Sequence, residues 1–193
     1  MIETARLILR PWRDEDREPF RAMSADPEIM ATLGGVLSAE AADAYIERHQ
    51  GNVARLGFGR WAVERRDDGA FIGAVGLAPI WPGLPLPEGY EMGWRLVRPA
   101  WGAGYAAEAA RAAIDDALTR RGLAIVYAFT AHTNTRSEAV MRRLGMSRRM
   151  DLDFEHPDLP PGDPLRRHVV YVAARNPSPP ACGGRKPGTT SAP

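Results

Sequence analysis

One stretch limits the possible folds more than any other. From Arg98 to Ala110 the chain reads RPAWGAGYAAEAA, which places Gly102 and Gly104 directly before an alanine-rich, helix-forming run. Glycine is the poorest ordinary helix residue, yet it is the one that adopts φ > 0 without steric cost. The segment before it, YEMGWRLVR from Tyr90, reads as a strand. A strand that passes through glycines straight into a helix leaves the first-turn N–H groups unpaired and parallel, a setting that suits a phosphate or pyrophosphate. On the glycines alone, a plain turn that lets helix pack closely on sheet is an equal alternative.

The neighbouring segments fix the context. RLILR from Arg6 to Arg10 alternates like a half-buried strand, and Asp14 opens a helix through about Ser24. ADPEIMATLGGVL reads as a loop. Ser38 is a plausible N-cap for a helix carrying Ala41, Ala44, Tyr45 and Val53. GRWAVERR and AFIGAVGLA form two strands joined at Asp67-Asp68-Gly69, a hairpin signal. After the glycine turn, a helix reaches about Arg121 and stops at Gly122. LAIVYAFTA is then a buried strand, TRSEAVMRRLG a helix ending at Gly145, and RHVVYVA a last strand. The order predicts an α/β fold with a mixed sheet, antiparallel early and with one crossover late.

Composition narrows the function classes. With 25 basic and 24 acidic residues the net charge is +1, and the arginine pairs are scattered along the chain, unlike the one-sided positive excess of a nucleic-acid surface. Cys182 is the only cysteine, which removes an internal disulfide and a thiolate metal cluster. The first residues carry Glu3, Arg6 and Arg10, and no apolar run approaches a membrane span. A cytoplasmic protein without nucleic-acid or membrane partners is expected. From Asn176 the chain is rich in Pro, Gly, Ser and Thr, so residues 176–193 are expected to be a disordered tail beyond a folded unit of residues 1–175.

Three pyrophosphate-binding patterns compete for the glycine turn. A nucleotide-hydrolysing P-loop needs Gly-Lys-Ser/Thr, which is missing. GAGYAA formally fits the dinucleotide fingerprint with Ala107 as its third small residue, but that fingerprint wants an acidic residue after the next strand, where this chain has His132. The third pattern spans most of the chain: YEMGWRLVRPAWGAGYAAEAA, then NTRSEAVMRRLGM after an intervening strand, and ETARLILRPW at the start. These motifs resemble the GNAT superfamily of N-acetyltransferases, and the opening resembles its RimJ/RimL-type branch.

That resemblance implies a largely antiparallel sheet of about six to seven strands, splayed at an acetyl-CoA site and flanked by about four helices. It implies acetyl transfer from acetyl-CoA to a primary amine by direct attack, with no metal. The amides of Gly102, Ala103, Gly104, Tyr105 and Ala106 would hold the pyrophosphate. Backbone groups at Trp94, Arg95 and Leu96 would pair with the pantetheine arm, and one N–H there would stabilise the oxyanion. Pro99 stands where relatives often carry a phosphate ligand, and Arg98 is the substitute candidate. Trp101 and Tyr105 are assigned to packing the turn. Asn134 would bond the pantetheine or cap its helix. Glu91 is the candidate general base, with an exposed strand-end glutamate as the alternative, and Ser137 the candidate acid for the leaving thiol, with helix capping or protonation by solvent as the alternatives. The superfamily's frequent tyrosine acid is replaced by Met141, which supports a second reading, an inactive acyl-CoA-binding sensor.

The acceptor, a small amine or a protein N-terminus, would be framed by DPEIMATLGGVL, PIWPGLPLPEG and DLDFEHPDLPPGD. Trp81 and Tyr90 are candidate walls. Asp151, Asp153, Glu155, Asp158 and Asp163 would either form a negative rim favouring a cation or be solvated charge. His132 and His156 lack metal-site spacing, His168 reads as a packed cross-strand residue, and a homodimer is compatible with this reading.

Overall fold

The computed structural model describes residues 1–175. The tail expected at 176–193, Cys182 included, lies outside the described residues. The elements run β1 (Ile2–Glu3), β2 (Leu7–Arg10), α1 (Arg17–Ser24), α2 (Pro27–Met30), α3 (Ala39–Leu56), β3 (Arg60–Arg65), β4 (Phe71–Pro79) and β5 (Tyr90–Leu96), followed by α4 (Tyr105–Asp115), β6 (Ile125–Ala131), α5 (Thr135–Arg143), β7 (Ser147–Arg148), β8 (Phe154–Glu155) and β9 (Arg167–Ala174). One sheet runs β1-β2-β3-β4-β5-β6-β9-β7, with β8 also on β9. Only β5 and β6 are parallel among these pairs, and α4 is the crossover between them.

Six strands have four residues or more, and β1, β7 and β8 add two-residue bridges. The extra helix is α2, inside the segment read as a loop. Asp26 caps it by accepting from the N–H groups of Glu28 at 2.9 Å and Ile29 at 3.4 Å, and Pro27 holds the first helical position. The helix expected at Asp14 starts instead as a single tight turn at Asp14–Asp16. Its anchor is the buried Asp16, which accepts from Arg10 at 2.7 and 2.9 Å and from the Arg13 N–H at 2.7 Å. Ser38 caps α3 as expected, through the Ala41 N–H. The buried stripe of α3 is Ala42, Tyr45, Ile46 and His49, whereas Ala41 and Ala44 face outward.

The sheet is covered on both faces. Leu7, Leu9, Val63, Val75, Leu77 and Met92 pack under α4 and α5, where Ala109, Ala110 and Ala113 let α4 lie close on the strands. On the other face Ala62 and Ala74 leave room for Trp12, Phe20, Met23 and Tyr45 from the α1–α3 layer. Alternation along β5 therefore aims Met92, Trp94 and Leu96 at one layer, and Glu91, Gly93 and Arg95 at the other.

Candidate active site

The sheet opens at one place. β5 pairs with β4 along its whole length, from Tyr90↔Pro79 to Leu96↔Gly73, but meets parallel β6 at the single pair Glu91↔Tyr127. Beyond that pair the second edge of Met92–Leu96 has no strand partner among the described residues. Such an edge can take an extended ligand as an added strand. The Leu96 carbonyl already accepts from the Trp101 indole at 2.9 Å, which ties the turn to the strand end and bears out a packing role for Trp101.

The open strand runs into the glycine turn. Gly102 has φ +77° and Gly104 φ +82°, both left-handed, and a Cβ added to Gly102 would meet nothing within 4 Å. Backbone conformation, not crowding, therefore demands glycine at Gly102. Gly104 is the N-cap of α4, with no side-chain cap, so the amides of the first turn stay available to an anion. The turn is braced from the N-terminal segment. Arg6 donates from Nη1 to the Ala103 carbonyl at 3.0 Å and from Nε to Glu108 at 2.7 Å, and its guanidinium lies 4.5 Å from the Tyr105 ring centroid. Thr4 Oγ1 adds a 2.6 Å bond to Glu108. Neither Arg6 nor Glu108 was identified from the sequence as part of the site.

Arg98 does not reach into the turn. It is ion-paired with Asp26 at 2.8 Å and Glu28 at 3.1 Å, against the cap of α2. Arg136 places its guanidinium 4.5 Å from the Trp101 ring centroid and 3.9 Å from Glu28.

A cavity of about 480 Å³ occupies the splay and is lined by Glu91, Trp94, Arg95, Thr130, Ser137 and Met141, among others. Glu91 and Ser137 are thus brought to one space. Ser137 is the third residue of α5. Its N–H donates to Asn134 Oδ1 at 3.1 Å, so Asn134 is the cap, and among the described residues the Ser137 hydroxyl has no hydrogen-bond partner. The Asn134 amide donates to Thr32 at 2.8 Å and Thr130 at 3.0 Å, linking α5 to the loop after α2. Glu91 Oε1 accepts from Arg60 Nη2 at 2.6 Å, which orients the carboxylate, and among the described residues its Oε2 has no protein partner. The Arg60 guanidinium lies on Gly93, where an added Cβ would be 2.6 Å from Cζ.

A second cavity of about 500 Å³ shares Arg60, Glu91, Phe129, His156 and Asp158 with the first, and Trp81 forms part of its wall. The three expected loops therefore meet around Glu91. Tyr90 does not line either cavity: it packs edge-on against Phe58 in the opposite core, with centroids 4.9 Å apart. The acidic loop is mostly neutralised. Asp151 pairs with Arg149, Asp153 with Arg148 and Glu155 with Arg166, while Asp163 accepts from the Leu165 N–H. Of the five, Asp158 alone lines the cavities.

His168 stacks on Phe154 at 5.1 Å, as a packed cross-strand residue should, and it also lines the first cavity. Its Nδ1 lies 3.1 Å from the Arg166 carbonyl, which assigns the proton to Nδ1 and leaves Nε2 an acceptor. Burial pushes its pKa below the usual histidine value. No group of three His, Cys, Asp or Glu side chains among the described residues could hold a metal ion, and no helix there is long and apolar enough to cross a membrane.

An open strand edge leading into a left-handed glycine turn, with titratable groups at its start, has the geometry to take an extended, anion-bearing ligand beside a cavity. A family model described as an acetyltransferase (GNAT) domain matches residues 6–147. The chain belongs to the GNAT acetyltransferase family and is therefore an acyltransferase, of a family that uses acetyl-CoA. It is similar to the FsC-acetyl coenzyme A-N(2)-transacetylase of Aspergillus fumigatus, with 33% identity over 182 residues, covering 90% of this chain and 76% of the relative. Among solved structures, an acetyltransferase from Agrobacterium tumefaciens shares 28% identity at a TM-score of 0.74, covering 90% of this chain and 94% of that one. A RimL ribosomal L7/L12 alpha-N-protein acetyltransferase in complex with coenzyme A shares the fold at a TM-score of 0.71 and 15% identity, covering 89% and 95%.

Proposed function

We propose that residues 1–175 form an N-acetyltransferase of the RimJ/RimL-type branch that acetylates the primary amine of a small molecule. The observation that carries this reading is the convergence of Glu91 and the free Ser137 hydroxyl on one cavity, at the single point where the sheet splays and the open strand leads to the Gly102–Ala106 turn. The N-terminal ETARLILRPW supports the branch. A chamber of about 480 Å³ is of small-ligand size, which supports a small amine over a protein N-terminus.

Bound acetyl-CoA supplies an activated acetyl thioester. Its pyrophosphate would rest on the amides of Gly102, Ala103, Gly104, Tyr105 and Ala106, and its pantetheine along the free edge of Trp94–Leu96. Glu91, oriented by Arg60, takes a proton from the attacking amine through water at its Oε2. A carbon–nitrogen bond forms, the carbon–sulfur bond breaks, and Ser137 assists protonation of the departing sulfur. Met141 is buried in the cavity wall and contributes only shape. Asn134, with its amide engaged, holds α5 against Thr32 and so positions Ser137.

Thiol release from acetyl-CoA over a panel of primary amines tests the reading. Amine-dependent release that drops roughly 100-fold or more in Glu91→Gln or Ser137→Ala, the effect of one general acid or base, is expected. Wild-type turnover in both variants across the pH range would overturn the residue roles, and cofactor binding without thiol release would indicate a sensor.

A further inference from the structure

The cavity holds more half-buried positive charge than its own carboxylates neutralise. Along the α1–α3 side of β5 come Glu91, then the Arg60 guanidinium lying on Gly93, then Arg95. Arg60 directs Nη2 to Glu91 and Nη1 to the Tyr45 hydroxyl at 3.3 Å. Arg95 has no such counter-charge: Nη1 donates to Ser24 Oγ at 3.3 Å, the guanidinium carbon lies 5.2 Å from the Tyr45 ring centroid and 5.7 Å from that of Phe20, and among the described residues it forms no ion pair. The Nε atoms of both arginines are buried without a partner.

A guanidinium keeps its proton in a protein, and a desolvated cation with only a hydroxyl and two ring faces is costly. Burial accordingly pulls the Arg95 pKa down from its usual range. The nearby polar groups do not compensate. Glu91 is committed to Arg60, Asp158 is at the exposed rim, and His49, buried beside Arg60, is neutral and leaves Nδ1 unpartnered. Arg95 nonetheless lines the cavity, with an Nη2 that has no protein acceptor among the described residues.

We propose that the acceptor amine also carries an acidic group, a carboxylate or a phosphate, that enters the chamber and pairs with Arg95. The proposal rests on the N-acetyltransferase reading above and names the class of its acceptor. Glu91 and Arg95 are four residues apart on one strand, about 13 Å at 3.3 Å per residue. The amine would therefore sit at the Glu91 end and the acidic group further along, past Arg60. Diamines and other purely cationic acceptors are disfavoured by the same charges.

The test compares matched acceptors in the thiol-release assay with full-length protein: amino acids against their C-terminal amides, and phosphoethanolamine against ethanolamine. At least one acidic acceptor should exceed its neutral partner by roughly tenfold or more in kcat/KM, the scale of one hydrogen bond to a charged group. The arm that shows the preference identifies carboxylate or phosphate. In Arg95→Gln the ratio should fall toward one, and in Arg95→Lys, which keeps the charge, a preference should persist. Ratios near one in every wild-type pair, or an Arg95→Gln variant that keeps the wild-type ratio, would overturn the proposal and leave the transferase reading standing. Absence of thiol release with every amine, while coenzyme A still binds, would overturn the transferase reading itself.

Discussion

Replacing Gly93 with alanine isolates the contact that organises the chamber. In an ordinary strand this change stabilises by about 0.5–1 kcal/mol, because glycine has more backbone freedom to lose. At Gly93 the new Cβ would fall 2.6 Å from Arg60 Cζ and 2.7 Å from Nη2, so the guanidinium must retreat by roughly 0.8 Å to reach the 3.4 Å of ordinary contact. That retreat breaks or stretches the 2.6 Å bond to Glu91, between groups only 17% and 20% exposed. A hydrogen bond to a charged group contributes about 1.5–3 kcal/mol, so the sign reverses and Gly93→Ala should destabilise by about 1–2 kcal/mol. Urea unfolding of Gly93→Ala, Arg60→Ala and the double variant measures this directly. In the Arg60→Ala background the clash is gone, and the alanine should be neutral or stabilising, a coupling of about 2 kcal/mol. Equal costs in both backgrounds, or stabilisation by Gly93→Ala alone, would refute the reasoning.

Acidification should expose His49. Burial and the neighbouring Arg60, Arg48 and Arg95 lower its pKa from 6.5 to about 3. Between those values the unfolded chain binds the extra proton, so stability falls as pH drops through this window, with a slope approaching ~1.4 kcal/mol per pH unit for this one group. His49→Leu should flatten the stability-versus-pH curve between pH 6.5 and 5, and an unchanged curve would contradict the assignment. At the other end of the site, Arg6→Ala removes the clamp on the Ala103 carbonyl and the brace on Glu108. Calorimetry should show coenzyme A affinity falling roughly 3- to 10-fold, the range of one ordinary hydrogen bond, with unfolding stability changed by less than about 1 kcal/mol because the ion pair is partly exposed.

The glycine turn was legible because its constraints are local. A left-handed turn needs glycine, so Gly102 and Gly104 announce themselves, as do the Ser38 cap and the Asp67-Asp68-Gly69 hairpin. The acceptor side depends on pairings across the sheet that no spacing encodes. Arg60 and Glu91 are 31 residues apart, Arg6 and Glu108 are 102 apart, and Asn134 and Thr32 are also 102 apart. Gly93 reads as an unremarkable strand glycine until the Arg60 side chain is placed on it. Trp81 lines the second cavity, whereas Tyr90 lines neither, because one step along a strand moves a side chain to the other face. The acidic loop left a negative rim and solvated charge both open; three of its five carboxylates pair with local arginines, and the uncompensated charge is the deeper Arg95.

The most direct test of the donor site is a calorimetric comparison of coenzyme A with pantetheine, which lacks the pyrophosphate and the phosphoadenosine beyond it, with Gly102→Ala separating the turn's share. If the Gly102–Ala106 turn holds that group, the wild-type protein binds coenzyme A at least about tenfold more tightly, and Gly102→Ala, whose cost is confined to about 1–2 kcal/mol of left-handed backbone strain, loses most of that margin. Equal affinities for the two ligands in the wild-type protein would contradict it.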